Sequence, residues 1–327
     1  MGIKLCNIEF KHGLSLAPMA GYSDRAMRLL CHRWGAEFSV TEMVSAKAVV
    51  FNDKKTFSLA RILPDEGPVA LQIFGKEPSV MAEAARILYE SAEGAKPFAI
   101  DINMGCPVNK IFSNGEGSAL MKSPALIEEI VSAVKGAVSI PVTVKLRIGI
   151  NEKNINAAEC ALAAEAGGAS FVTLHGRTRE QMYGGVADRK IIKKVKSCLH
   201  IPLIANGDVT NSEEAIAMLS ETGADGIAIG RGAVGNPFVF DEIVAALEKR
   251  SYTPPTLSDR CEAALLQLRC AIEEKGEYTA TTESRKQIAL YLRSFRGAAQ
   301  IRAKINRATT YKEVEAALMD GLSASDE

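Results

Sequence analysis

No stretch of this sequence approaches the ~20 consecutive apolar residues that a membrane helix requires, so a membrane-spanning chain is not expected. The opening "MGIKLCNIEFKHG" lacks the apolar core and cleavage site of a secretory leader. Its Met-Gly start is a poor myristoylation match, because Cys6 stands where serine or threonine is wanted. There is no CxxC, and the four histidines (His12, His32, His175, His200) are not at ligand spacing, which argues against a structural metal. The seven cysteines are odd in number and scattered, so reduced thiols and a cytoplasmic setting are expected. Net charge is missing too: Lys+Arg and Asp+Glu are each 39. A protein that coats nucleic acid would be basic overall. Acid itself is absent from one region, Ser284 to Lys312, which carries Arg285, Lys286, Arg293, Arg296, Arg302, Lys304, Arg307 and Lys312.

What is present is a rhythm. Short apolar runs rich in Val, Ile or Ala alternate with longer amphipathic stretches from Leu14 to about Ile229. The runs are "LSLAP" (14–18), "FSVTE" (38–42), "VALQIFG" (69–75), "FAIDIN" (98–103), "PVTVKLR" (141–147), "SFVTLHG" (170–176), "PLIANG" (202–207) and "GIAIG" (226–230). Such runs mark strands buried on both faces. Helices are expected over "SVMAEAARILYESA", "PALIEEIVSAVKGA", "NAAECALAAEAGG" and "SEEAIAMLSETG", the last with Ser212 as its N-cap. Eight strands alternating with helices fit a (β/α)8 TIM barrel over residues 1–250, with a doubly wound sheet as the competing α/β fold. "SYTPPT" (251–256) reads as a linker, and residues 251–327 as a small helical bundle. Its apolar stripes are Cys261, Ala264, Leu265, Leu268 and Ile272, then Ile288, Leu292 and Phe295, then Ile301, Ile305 and Ala308.

Barrel enzymes place chemistry at the carboxyl ends of their strands. Those ends carry Pro18-Met19-Ala20-Gly21, Glu42-Met43, Gln72, Asn103, Lys145 with Arg147, His175 with Arg177, Asn206-Gly207-Asp208 and Gly230-Arg231-Gly232. "GRGAVG" (230–235) matches a dinucleotide fingerprint, but a helix and a proline linker follow it where a strand is required. Read as loops after strands seven and eight, "NGD" and "GRG" suit a phosphate cradle instead. Gln72, Lys145 and His175 face it, a set that suits the planar head of flavin mononucleotide; a phosphorylated sugar fits the cradle as well.

Most cysteines here are expected to be packed. Cys106 differs, lying on the loop after strand four between Gly105, which lets the chain turn, and Pro107, which stiffens it. The segment after it, "VNKIFSNGEGSALM", has the glycines of a loop that can close over a ligand. A protonated thiol at that rim can donate a proton.

Taken in order, "LAPMAGYSD", "TEMVSAKA", "LQIFG", "DINMGCPVNK...GSALM", "VTVKLRIG", "LHGRT", "IANGD" and "GRGAVGNPFVF" resemble the tRNA-dihydrouridine synthase family. The resemblance covers nearly the whole chain. It implies an FMN-containing barrel with a C-terminal helical tRNA-binding domain. The implied reaction reduces uridine in tRNA to dihydrouridine, with NADPH or NADH re-reducing the flavin. By matching motif it implies Cys106 as the catalytic acid and Gln72, Lys145 and His175 as FMN contacts. Asn206, Gly207, Asp208, Gly230 and Arg231 would hold the ribityl phosphate, and Pro18, Met19 and Ala20 would line the ring. Asn103 and Arg177 would face substrate, and Arg285, Lys286 and Arg293 the RNA. Gln287 and Leu290 depart from the family, in which His and Trp are common there. A monomer is expected. The alternatives are a flavin barrel that reduces a small enone or free pyrimidine, which has no need of a basic tail, and a non-catalytic RNA-binding protein, which has no need of Cys106, Lys145 and His175.

Overall fold

The computed structural model describes residues 2–92, 94–293 and 297–323. All eight expected strands form: β1 (Leu14–Leu16), β2 (Phe38–Val40), β3 (Val69–Phe74), β4 (Ala99–Met104), β5 (Val142–Arg147), β6 (Val172–His175), β7 (Leu203–Asn206) and β8 (Gly226–Ile229). Each pairs in parallel with its sequence neighbours, and β8 pairs with β1, which closes the ring. The register sets Gln72 opposite Asp101, Asn103 opposite Lys145, and His175 opposite both Arg147 and Asn206.

Helices wrap the outside: α1 (Arg25–Arg33), α2 (Ala46–Val50), α3 (Lys54–Ala60), α4 (Pro78–Glu90), α5 (Asn109–Ser113), α6 (Pro124–Ala137), α7 (Ala157–Ala166), α8 (Arg189–Lys196), α9 (Ser212–Thr222) and α10 (Val239–Leu247). Proline opens α4 and α6, where its missing N–H costs nothing. The N-cap of α9 is Asn211, not Ser212: with extended backbone, its side chain accepts the Glu214 N–H at 2.9 Å. The main core lies between strands and helices and includes Ile100, Val144 and Leu146 with Ile127 and Val131. An antiparallel hairpin, Ile3–Leu5 with Ile8–Phe10, went unread in the sequence because three-residue strands show no period. Leu5 and Phe10 cluster with Phe38, Phe171 and Ile204 of the barrel.

After residues 251–256, which carry no helix or strand, come α11 (Leu257–Lys275), α12 (Glu277–Leu290), α13 (Ala298–Ile305) and α14 (Tyr311–Ser323). Their apolar stripes meet in one cluster that also takes in Ala26 and Leu30 of α1 and Phe238. Phe295 and Arg296 lie outside the described residues. No helix among the described residues is long and apolar enough to cross a membrane.

Candidate active site at the barrel mouth

The register of β3, β4 and β5 builds a floor of linked side chains. Asp101, buried in mid-strand, accepts from Gln72 Nε2 and Thr143 Oγ1, both at 2.6 Å. Burial raises its carboxyl above the usual range, while these two donors and the Lys145 ammonium pull the other way. Gln72 Oε1 accepts from Asn103 Nδ2 at 2.9 Å. Asn103 Oδ1 in turn accepts the main-chain N–H groups of Gly105 (3.2 Å) and Cys106 (2.9 Å).

Cys106 sits at the end of this chain, 8% exposed. Its carbonyl accepts from the Ser118 N–H and hydroxyl at 3.2 and 2.7 Å. Arg147 braces the same loop: Nε donates to the Gly105 carbonyl at 2.8 Å, and Nη1 to those of Thr178 and Met182 at 2.8 and 2.9 Å. The need for glycine at 105 is proximity, not a turn with positive φ: a Cβ there would lie 3.3 Å from the Lys145 carbonyl oxygen. Burial raises the Cys106 thiol above its ordinary value, opposed by the Val108 N–H and by Arg147 and Lys145. It is therefore protonated at neutral pH. The segment that follows, expected to close over a ligand, is built rather than loose. It contains α5 and a 3₁₀ turn with Gly117–Met121 buried, and Phe112 lies between Arg179 (4.0 Å) and Lys122 (4.5 Å).

Across the mouth, Lys145 Nζ donates to Asn206 Oδ1 at 3.0 Å, and Asn206 Nδ2 to the Ala228 carbonyl at 2.7 Å. Burial, helped by Arg147, pulls Lys145 down to about 8 against the attraction of Asp101 and Cys106. His175 is held neutral, far below its usual range, by burial and by Lys145, Arg147, Arg177 and Arg231 around it. Arg177 Nη1 lies 3.5 Å from His175 Nε2; an arginine only donates, so Nε2 accepts and Nδ1 carries the proton. Arg177, expected to face substrate, is 2% exposed and committed within the protein. It donates to the Gly184 and Gly185 carbonyls at 2.9 and 2.7 Å and straddles both Asp208 carboxylate oxygens at 2.7 and 2.8 Å.

The loops after β7 and β8 use main chain instead. Gly207 has φ +130°, and a Cβ on it would lie 2.7 Å from Ala187 Cβ and 3.1 Å from His175 Cδ2. A Cβ on Gly232 would fall 2.3 Å from the Val209 carbonyl oxygen, so the two loops touch. Among the described residues, no partner accepts from the main-chain N–H groups of Gly207, Asp208, Gly230 or Arg231. The Asp208 carboxylate, a poor neighbour for a phosphate, is engaged by Arg177 and by the Ala187 N–H at 2.7 Å. Arg231 is exposed and lies 5.0 Å from the centre of the Tyr183 ring. Met19, half-buried beside Gly230, has its N–H held by Ser23 Oγ at 2.8 Å. Pro18 is half-buried and Ala20 exposed on the same loop.

Three mouth residues escaped sequence reasoning. Asp101 was detectable as a lone acid inside a buried strand, but it is not at a strand end. Arg147 was visible at the end of β5 without a role. Tyr183, whose ring centre lies 6.0 Å from the Arg147 guanidinium and 5.0 Å from that of Arg231, lies in a loop that no pattern marks.

The C-terminal helices reach the mouth through buried amides. Tyr291 OH donates to Gln267 Oε1 (2.7 Å), Gln267 Nε2 to Gln287 Oε1 (2.6 Å), and Gln287 Nε2 to the Gly21 carbonyl (3.2 Å). Arg285, expected on the RNA-facing surface, is instead half-buried and grips the Ala308 carbonyl with Nε and Nη2 at 2.8 and 2.5 Å. Its neighbours along the chain give an acid-free run but not a direction. Lys286 and Arg293 are exposed, as are Arg307 and Lys312.

The family model for dihydrouridine synthase matches residues 15–325 of this chain. The chain belongs to the dihydrouridine synthase family. The family's relatives include a probable tRNA-dihydrouridine synthase of Treponema pallidum, 38% identical over 322 residues that cover 96% of this chain and 94% of the relative. A tRNA-dihydrouridine synthase B of Vibrio parahaemolyticus is 40% identical over 305 residues, 93% of this chain and 94% of the relative. Among solved structures, the old yellow enzyme homologue from Zymomonas mobilis shares the fold (TM-score 0.52, 14% identity, 79% of this chain and 95% of that one). Membership of the dihydrouridine synthases makes the protein an oxidoreductase: dihydrouridine is uridine with one hydride and one proton added.

Proposed function

We propose that this protein reduces the C5=C6 bond of uridines in tRNA to 5,6-dihydrouridine, with FMN as its flavin, NADPH or NADH as the reductant, and Cys106 as proton donor to C5. The observation that carries the reading is a protonated, loop-pinned thiol beside a floor of Gln72, Lys145 and His175, next to a cradle whose N–H groups have no partner among the described residues. The cradle suits a phosphate, because its N–H groups lie at the ends of two barrel strands on loops whose glycines present bare main chain. Bound there, FMN would supply hydride chemistry for reduction of the C5=C6 bond. Asn206, Gly207, Asp208 (through its N–H), Gly230 and Arg231 would hold the phosphate, and Pro18, Met19 and Ala20 would line the ring. Gln72 offers its remaining donor and acceptor to the ring's amide edge. Lys145 would place positive charge by the N1–O2 edge, and neutral His175 would add a hydrogen bond without a second charge.

Hydride addition at C6 leaves charge shared between C5 and the C4 oxygen, and the Cys106 S–H gives its proton to C5. The thiolate left behind is stabilised by Arg147 and Lys145 until water reprotonates it. Asn103 and Arg177 serve the substrate side by holding the loops that flank it. The helices from 251 onward are the RNA-binding part. Lys286 and Arg293 contact phosphates there and Arg285 braces the surface, which favours tRNA over a small enone or free pyrimidine. The protein works as a monomer in the cytoplasm.

The test is Cys106→Ala assayed for dihydrouridine formation on tRNA. Turnover falls about 10²–10⁴-fold with the flavin still bound. Undiminished turnover rejects the thiol as donor, and equal activity on free uridine rejects the RNA assignment.

A further inference from the structure

We propose that Asp101 is the positioning residue of the mouth: through the side-chain amides of Gln72 and Asn103 it fixes the main chain that carries Cys106. This rests on the Cys106 reading above.

Three buried polar side chains form one directed line. Asn103 Oδ1 faces two main-chain N–H groups, those of Gly105 and Cys106, so its amide can be turned only one way. Its Nδ2 must then donate, and it does so to Gln72 Oε1. The Gln72 amide is thereby turned too, and its Nε2 needs an acceptor on the far side. Asp101 Oδ2 is that acceptor, and Oδ1 is held by the Thr143 hydroxyl. Both ends are pinned and both amides between them have one permitted sense. An acid flanked by Ile100 and Ile102 in the centre of a buried strand is costly, and its two oxygens are spent on the Gln72 and Thr143 donors. The line it starts ends on the Cys106 N–H, only three hydrogen bonds away.

The readout is the rate at which iodoacetamide alkylates Cys106 in the full-length, flavin-loaded protein, followed by mass spectrometry of the Cys106 peptide, with half-buried Cys198 as internal reference. Loop geometry is read without turnover, so this inference and the proton-donor reading can fail separately. Asn103→Asp sets an oxygen against Gln72 Oε1 and breaks the line; Cys106 alkylation rises about tenfold, within the range measured for coupled neighbours. Asp101→Asn alone stays within about twofold, since its carbonyl can still accept from Gln72 and its amide can donate to Thr143. With both substitutions the Gln72 amide turns over and its two links are made again with reversed sense, while the Gly105, Cys106 and Thr143 donors keep theirs. The rate returns to within about threefold of the parent. If the double variant is as reactive as Asn103→Asp alone, or if Asn103→Asp leaves the rate unchanged, the proposal is overturned. Should Asn103→Asp fail to fold, Asp101→Ala is read by the same assay. It removes the terminal acceptor and raises the rate about fivefold, whereas an unchanged rate overturns the proposal.

Discussion

The two halves of the mouth are built on opposite principles. On the β3–β5 side, side chains meet side chains: Asp101, Gln72, Asn103, Lys145 and Arg147 hold one another and the Cys106 loop through directed hydrogen bonds. On the β7–β8 side, recognition is left to main chain, and Gly207 and Gly232 matter for the Cβ they lack. The first half depends on donors and acceptors meeting in the right sense. The second tolerates no change of bulk. The proposed function would gain from this split, because N–H groups of a loop suit an anion while a single acid needs one fixed position.

The comparison breaks most sharply at Gly207. In Gly207→Ala, strain at φ +130° of about 1–3 kcal/mol joins the contact with Ala187, and the purified protein is expected to lose bound flavin, read from its visible absorbance. Lys286→Glu with Arg293→Glu leaves both halves intact. It weakens tRNA binding about tenfold or more at physiological salt and lowers the salt slope by about two, with flavin absorbance unchanged. The side-chain half is sharpened by pH. Lys145 has its pKa lowered to about 8, so its charge is present below that pH and lost as pH rises through it. The kcat/KM for tRNA should fall on that limb, and Lys145→Met should flatten the limb at a lower plateau. The smallest effect belongs to Arg285→Ala: about 1–2 kcal/mol of stability from the lost grip on the Ala308 carbonyl, measured by denaturant unfolding, with tRNA affinity changed less than by the Lys286/Arg293 pair.

All eight strands were legible because strands buried on both faces read as plain apolar runs, and the mouth followed because barrel chemistry gathers at strand ends. Gln72, Lys145, His175 and Asn206 were thus placed at the mouth by position alone. Asp101 was hidden by the same rule: it lies mid-strand, two residues before Asn103, where sequence reasoning expects only packing. Arg285 was misplaced because the absence of acids says how much charge a segment carries and nothing of which way each side chain turns. Asn211 displaced Ser212 as cap because both residue types serve, and only the backbone decides between neighbours.

The amide reaching from α12 to the Gly21 carbonyl has one more consequence. The loop of Pro18–Ala20 has an anchor that belongs to the last third of the chain, and α1 shares its apolar wall with those same helices. Severing the protein at residue 250 would bare Ala26, Leu30 and Phe238 to water and leave Gly21 untethered. The isolated barrel would be a poor miniature of the enzyme even for work that never touches RNA.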